Sequence, residues 1–204
     1  MKIILSRKGF DSSYGGHSSP ILPDGRMLSL PIPLPNKLKY SAICVDKNTY
    51  LVDIMVQLFN DVIVNKKRQN LTGDIECHLD PDIYPASLLR HKDWKPLFGQ
   101  TNSSQQHLSL QGVSIGDLFL FFGWFRQTEF YHGKLCYITS APDFQCIWGY
   151  LQIGKIYNVM KQRHEINSEI YHPHLESYRS TDSQNTQYEA TNKLTFLEKQ
   201  TGCW

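Results

Sequence analysis

The 204-residue sequence has no apolar stretch long enough to cross a bilayer. Its longest, Leu118 to Phe125, is interrupted by Gly123, and only Ile3-Ile4-Leu5 precedes Ser6 near the N-terminus, far short of the apolar region of a signal peptide. A strong charge of either sign is also missing. The 21 Lys and Arg stand against 19 Asp and Glu, which argues against coating nucleic acid by bulk charge and moves any such binding onto a local patch. Cys44, Cys77, Cys136, Cys146 and Cys203 include no Cys-x-x-Cys pair, so a zinc knuckle and a redox couple are disfavoured. Most are expected to be small buried thiols in a reducing compartment. There is no Walker loop, Gly-x-Gly-x-x-Gly, Gly-x-Ser-x-Gly or His-Glu-x-x-His. Neither repeats nor heptads occur, which removes solenoids and coiled coils. The chain reads as one soluble, cytoplasmic domain over 1–204, with no membrane partner.

What is present begins with Ser6-Arg7-Lys8-Gly9-Phe10-Asp11-Ser12-Ser13-Tyr14-Gly15-Gly16-His17, directly after the apolar stretch. If Met1 to Leu5 is a strand, these residues form a loop dense in cations, hydroxyls and glycines. Arg7 offers a donor fork, Lys8 a point charge, and Ser12 and Ser13 further donors, a combination suited to phosphate or carboxylate.

Farther along, Pro23-Asp24-Gly25-Arg26 is a turn between two short strands, and Pro31, Pro33 and Pro35 end the second strand or confine it to an edge. Leu51, Met55, Leu58, Phe59 and Val62 recur at spacings of three and four, predicting a helix between Asn48 and Asn65 with Lys66-Lys67-Arg68 at its solvated C-terminus. From Gly73 to Gly116 periodicity is poor; a short helix is possible near Ala86 to His91, and Thr101 to Gln106 resembles a linker. Leu118-Phe119-Leu120-Phe121-Phe122 then reads as a strand buried on both faces. Leu135 to Ser140 and Gln145 to Tyr157 are strands, the latter bent at Gly149 and Gly154, and Thr186 to Ala190 is a further short one.

Two segments carry the chemistry. In His78-Leu79-Asp80-Pro81-Asp82 an extended backbone points His78 and Asp80 to one face, as general acid–base catalysis or metal binding requires; a simple turn held by Asp80 is the bland alternative. In Tyr171-His172-Pro173-His174 two imidazoles share a face in the same way. His17, His78, His172 and His174 could supply metal ligands only if the fold joins distant segments, so no metal is assigned. Trp124, Phe125, Arg126, Trp148 and Tyr150 combine aromatic faces with a guanidinium; Trp124 and Arg126, near a strand end, are the candidates for stacking on a base.

Taken in order, Ile3 to Ser13, Pro23-Asp24-Gly25, Leu30-Pro31-Ile32-Pro33, His78 to Asp82, Pro96 to Gln100, Gly116 to Arg126, Gly149 to Gly154 and Tyr171 to His174 resemble the nucleotide modification associated domain of the third type. The resemblance spans most of the chain and implies a role in phage or bacterial systems that modify nucleotides or nucleic-acid bases. The family pattern extends past Asn185-Thr186-Gln187-Tyr188, so it also implies a shortened C-terminal part here. Gly116 to Tyr157, more weakly, looks like the paired strands of PUA-type barrels, some of which hold flipped bases.

The resulting expectation is an α+β fold with few helices, built on a curved, largely antiparallel sheet or a PUA-like barrel with strands mainly over 116–158. Its partner would be a nucleotide or nucleic acid, alongside other modification-system proteins. If the chain is an enzyme, His78 or His172 is the acid–base group and Asp80, Asp82 or Asp11 the orienting or nucleophilic carboxylate. Arg7, Lys8, Ser12 and Ser13 would grip phosphate, and Trp124 and Arg126 would meet a base. The alternatives are a non-catalytic reader of modified bases and a structural partner. No cofactor is named.

Overall fold

The β-prone run at Leu118 grows into the longest pairing element of the fold but one, and the rest of the sheet is arranged around it. The computed structural model describes residues 1–166, 170–176 and 182–202. In chain order the elements are β1 (Ile3–Arg7), β2 (Ser19–Ile21), β3 (Cys44–Asp46), β4 (Thr49–Tyr50), α1 (Leu51–Leu58), β5 (Asp61–Val64), β6 (Lys67–Asn70), β7 (Leu97–Gln100), α2 (Asn102–Leu110), β8 (Leu118–Tyr131), β9 (Lys134–Tyr137), β10 (Phe144–Asn158), α3 (Val159–Gln162), β11 (Thr186–Ala190), β12 (Lys193–Leu194) and β13 (Leu197–Thr201).

The main sheet has the order β1-β8-β10-β11-β7, with β2 and β9 also paired to β8. β1 and β2 run parallel to β8, and the other pairs are antiparallel. This is an α+β fold with a mixed, mostly antiparallel open sheet. The expected antiparallel sheet is therefore present, whereas the barrel alternative is not: β1 and β7 end the strand path without closing it. A bulge between Ile147 and Gly149 lets β10 bend against β8, as the strand glycine suggested.

Burial on β8 alternates. Phe119, Phe121 and Phe125 are fully buried, while Leu120, Phe122, Trp124 and Arg126 on the other face are only half-buried. The strand is thus fully covered on one face, not both. Phe98 of β7 packs edge-on to Phe119 and Phe121 at 4.7 and 5.2 Å between centroids, and Tyr188 of β11 completes the group. Each such aromatic pair contributes roughly 0.5–1.5 kcal/mol beyond the area it buries. A second apolar cluster, including Phe10, Leu30, Tyr40, Met55, Val62 and Cys77, lies beneath the N-terminal half.

Three local expectations change. The helix stops at Leu58, where Phe59 turns extended at φ −156° and ψ 158°, and Val62 instead belongs to the β5–β6 hairpin. Lys66, Lys67 and Arg68 are accordingly hairpin residues, not a helix terminus. The linker-like stretch is the start of α2, with Gln105 and Leu108 buried and the Gln105 amide oxygen accepting from the Tyr188 hydroxyl at 2.9 Å. Ala86 to His91 yields only the end of a single 3-10 turn, Pro85–Ser87. The Pro23 to Arg26 turn forms, with the Leu22 N–H donating to the Arg26 carbonyl at 2.8 Å, but the expected second strand does not: Met27 makes a single antiparallel bridge to Ile21 and Ile32 one to His78. Among the described cysteines only Cys77 is buried, and burial pushes its thiol up; Cys44, Cys136 and Cys146 are half-buried, and Cys203 lies outside the described residues. None of the described helices is long and apolar enough to cross a membrane.

Candidate functional site

Where the two apolar clusters meet, three segments that are far apart in sequence converge. β1 pairs in register with β8 up to Arg7, and the Lys8 N–H extends the pairing to the Phe122 carbonyl at 2.8 Å. This lays the Lys8 ammonium over the Phe98 ring, 4.3 Å from its centroid. The segment at Cys77 is held extended by N–H bonds from Cys77 to Leu38 and from His78 to Ile32, and Asp82 exchanges both backbone bonds with Leu97. His172-Pro173-His174 enters a 3-10 turn whose first position is Pro173, a residue already fixed at the required φ.

Asp80 is the centre of this junction, its side chain 2% exposed. The two carboxylate oxygens face different groups. Oδ1 accepts from the Gly99 N–H at 2.8 Å and stands 3.4 Å from His172 Nε2. Oδ2 accepts from Lys8 Nζ at 2.9 Å and faces His174 Nε2 at 3.8 Å and His78 Nε2 at 4.0 Å. Gly99 is required by this packing, since a Cβ there would come within 2.3 Å of the His174 ring.

The hydrogen bonds assign two of the imidazole tautomers. His172 Nδ1 accepts from the His174 backbone N–H at 3.3 Å and from Gln187 Nε2 at 2.6 Å, so its proton lies on Nε2, directed to Asp80. His174 is the opposite case. Asn185 Nδ2 donates to the His174 carbonyl at 2.7 Å, which turns Asn185 Oδ1 toward His174 Nδ1 at 3.0 Å and requires that nitrogen to be the donor. A neutral His174 therefore presents the Nε2 lone pair toward Asp80 Oδ2. Donor atoms of His78, Asp80 and His174 lie within 4.8 Å of one another, a set able to hold a metal ion.

Burial opposes a charge on Asp80, but the Lys8 ammonium, the His172 hydrogen bond and the nearby His174 outweigh it and hold the carboxyl well below the usual carboxylate range. Asp82 is the reverse, pushed up by burial against the pull of Arg90. That guanidinium grips Asp82 through two bonds of 2.7 and 2.5 Å, and the Ser87 hydroxyl donates to the Tyr84 carbonyl at 2.8 Å while accepting from Arg90 at 2.7 Å.

Of the residues expected to carry function, His78, Asp80 and His172 meet at one place. Lys8, expected on phosphate, joins them. Asp82 is committed to Arg90. Asp11 closes a local turn by accepting the Ser13 and Tyr14 N–H groups at 2.7 Å each, and leaves Ser12 and Ser13 exposed on it. His17 stacks on Phe59 and bonds to Asp61. Trp124 and Arg126 occupy the face of β8 opposite Phe121, and Arg126 donates to the Ile138 and Thr139 carbonyls at 3.0 Å each. Gly99, Asn185, Gln187 and Arg90 escaped the sequence reading; the alternation of Asn185 and Gln187, matching that of His174 and His172, was the available signal.

Arg7 faces a separate groove between β1 and α2, a cavity of about 730 Å³ that Gln100, Ser103, Ser104 and His107 also line. Arg7 and Gln100 at this groove are the chain neighbours of Lys8 and Gly99 at Asp80.

No curated protein and no solved structure matches the chain. The family described as nucleotide modification associated domain 3 matches it over residues 2–203, almost its whole length. The Arg7-Lys8 run, His78-Leu79-Asp80 and His172-Pro173-His174 all fall within that match, and the chain belongs to the nucleotide modification associated domain 3 family.

Proposed function

We propose that this chain binds a nucleotide, free or within a nucleic acid, in the groove between β1 and α2, and that the Asp80 cluster is the chemical centre acting on it. The observation that carries this reading is that consecutive residues of the chain serve the groove and the Asp80 cluster. Arg7 lines the groove while Lys8, the next residue, bonds to Asp80; Gln100 and Gly99 repeat the relation from β7. A cavity of this volume lies in the range that encloses small ligands. Arg7 supplies a fork for phosphate, and Ser103 and Ser104, in the first turn of α2, place hydroxyls and a helix N-terminus beside it. Lys8, the most open member of the cluster at 15% side-chain exposure, gives the side from which a substrate group reaches it.

In this role His172 orients Asp80, and His78 and His174 are the groups able to exchange protons with substrate. Phage or bacterial DNA-modification machinery supplies the setting and the partner proteins. A base reader built on Trp124 and Arg126 has less support, because Arg126 already serves two backbone carbonyls.

Isothermal titration with deoxynucleoside and ribonucleoside phosphates tests this, with mass spectrometry of the recovered nucleotide as the readout of chemistry. Arg7→Ala is expected to weaken binding at least tenfold, and His78→Ala with Asp80→Asn to retain binding while abolishing any product. Absence of saturable binding to the folded chain, or equal binding by Arg7→Ala, would overturn the proposal.

A further inference from the structure

We infer that His78, Asp80 and His174 form a binding site for one first-row divalent transition-metal ion, with His172 as the positioning residue that fixes Asp80. The inference concerns the cluster assigned above to chemistry, but it is read from donor geometry and does not require that a nucleotide bind.

The division of labour at Asp80 carries the argument. Oδ1 accepts the Gly99 N–H at 2.8 Å and has His172 Nε2 beside it at 3.4 Å, and these contacts hold the carboxylate plane in place. Oδ2 instead faces the Nε2 atoms of His174 and His78 at 3.8 and 4.0 Å. The Asn185 bond places a proton on His174 Nδ1, so Nε2 is the ring atom left to face Asp80 Oδ2 and to ligate an ion there. An ion seated between these three atoms would take a ligand from each of His78, Asp80 and His174, whose donor atoms all lie within 4.8 Å of one another. Ligand atoms around a tetrahedral ion with bonds of about 2.0–2.1 Å are separated by roughly 3.3 Å. The two separations from Asp80 Oδ2, 3.8 and 4.0 Å, contract by about 0.5–0.7 Å to reach it, and all three donor atoms already lie within 4.8 Å of one another.

The outer contact of His174 also matches what a metal-ligating histidine requires. Each such ring usually gives its other nitrogen to a fixed oxygen, as His174 does to Asn185. Two imidazoles and one carboxylate suit zinc or ferrous iron and leave positions open for water or substrate, while offering too few oxygens to favour magnesium or calcium. Lys8 Nζ, 2.9 Å from Oδ2, provides the positive charge at this oxygen in the metal-free molecule. Metal entry must displace it. Lys8 thus competes with the ion, and its partial exposure marks the way in.

The test is titration of the chelator-treated full-length chain with Zn²⁺, Co²⁺ and, without oxygen, Fe²⁺. The expected result is one equivalent bound and a visible Co²⁺ absorption band of a low-coordinate N/O site. Asp80→Asn and His174→Ala should each weaken binding at least tenfold, with circular dichroism confirming that the variants are folded. His172→Gln should weaken it less. The distinguishing variant is Lys8→Met, which should bind Co²⁺ more tightly than the parent and regain thermal stability when the ion is added. Should either ligand variant unfold, Lys8→Met still decides. Substoichiometric binding, binding indifferent to Asp80→Asn, or no gain of affinity in Lys8→Met would overturn the site and leave His174 as an imidazolium partner of Asp80. Nucleotide titration of the same chelator-treated chain is unaffected by such a failure, so the two proposals fall separately.

Discussion

Gly99 shows how narrowly the centre is specified at the scale of single residues. Its N–H donates to Asp80 Oδ1, its neighbour across β11 is Gln187, and the His174 ring lies where a side chain would begin. Gly99→Ala must therefore push the imidazole away from Asn185 or twist β7, and neither the ring nor the strand has free space. The expected cost is about 1–3 kcal/mol, the range for overpacking a filled interior, measured by urea denaturation. The signature beyond stability is a loss of Co²⁺ affinity in the folded variant. An alanine variant as stable as its parent would show that His174 does not need its place against β7. Arg90 and Asp82 present a contrast at this scale, because their buried bidentate pair ties 82 to 90 and makes no bond to His78, His172 or His174 among the described contacts.

Elements decide which residues meet, and here local pattern and tertiary pairing part company. Leu51, Met55, Leu58, Phe59 and Val62 fit a helical repeat, yet the helix ends at Leu58 because Val62-Ile63-Val64 is β-branched and the Ile63 N–H and carbonyl both bond to Gly15. The hairpin that follows turns through Asn65 and Lys66, both at positive φ (49° and 64°). This backbone favours Gly at its second position. Lys66→Gly should accordingly stabilise the chain by about 1 kcal/mol, the left-handed penalty relieved less some added entropy of the unfolded chain, seen as a higher melting temperature. An unchanged or lower melting temperature would refute that account of the turn. The same distinction explains what was legible of the site. His78 with Asp80, and His172 with His174, are spaced so that an extended backbone aligns them, and both pairs could be read from sequence. Their convergence with Lys8 could not, because it depends on β1 pairing with β8, on β7 pairing with β11, and on the 77–82 segment being strapped to Leu97. Those are contacts between residues up to about a hundred positions apart, without a local pattern. Lys8 reads locally as a grip on phosphate, and those pairings place its ammonium 2.9 Å from Asp80 Oδ2.

At the scale of the whole molecule, Asp80 joins the exit of β1, the β7 edge and the segment at His172, at the seam between the two apolar clusters. The stability of the chain must then carry the titration of that one carboxyl. Its folded pKa lies well below the usual value of about 3.9 in an unfolded chain. A depressed pKa contributes stability that is fully present above the unfolded value and is lost as pH falls through the folded one, because the unfolded chain takes up the proton first. Asp80→Asn has no such proton to bind. At pH 7 it should be less stable than the parent by about 3 kcal/mol, the lower end for breaking a buried pair by removing one partner. Below about pH 4, by the same linkage, the difference should narrow steadily as the parent loses its advantage. Denaturation curves for parent and variant from pH 7 to pH 2.5 decide the matter: converging stabilities place the charge of Asp80 at the seam, and parallel ones would mean that the junction is held by packing alone.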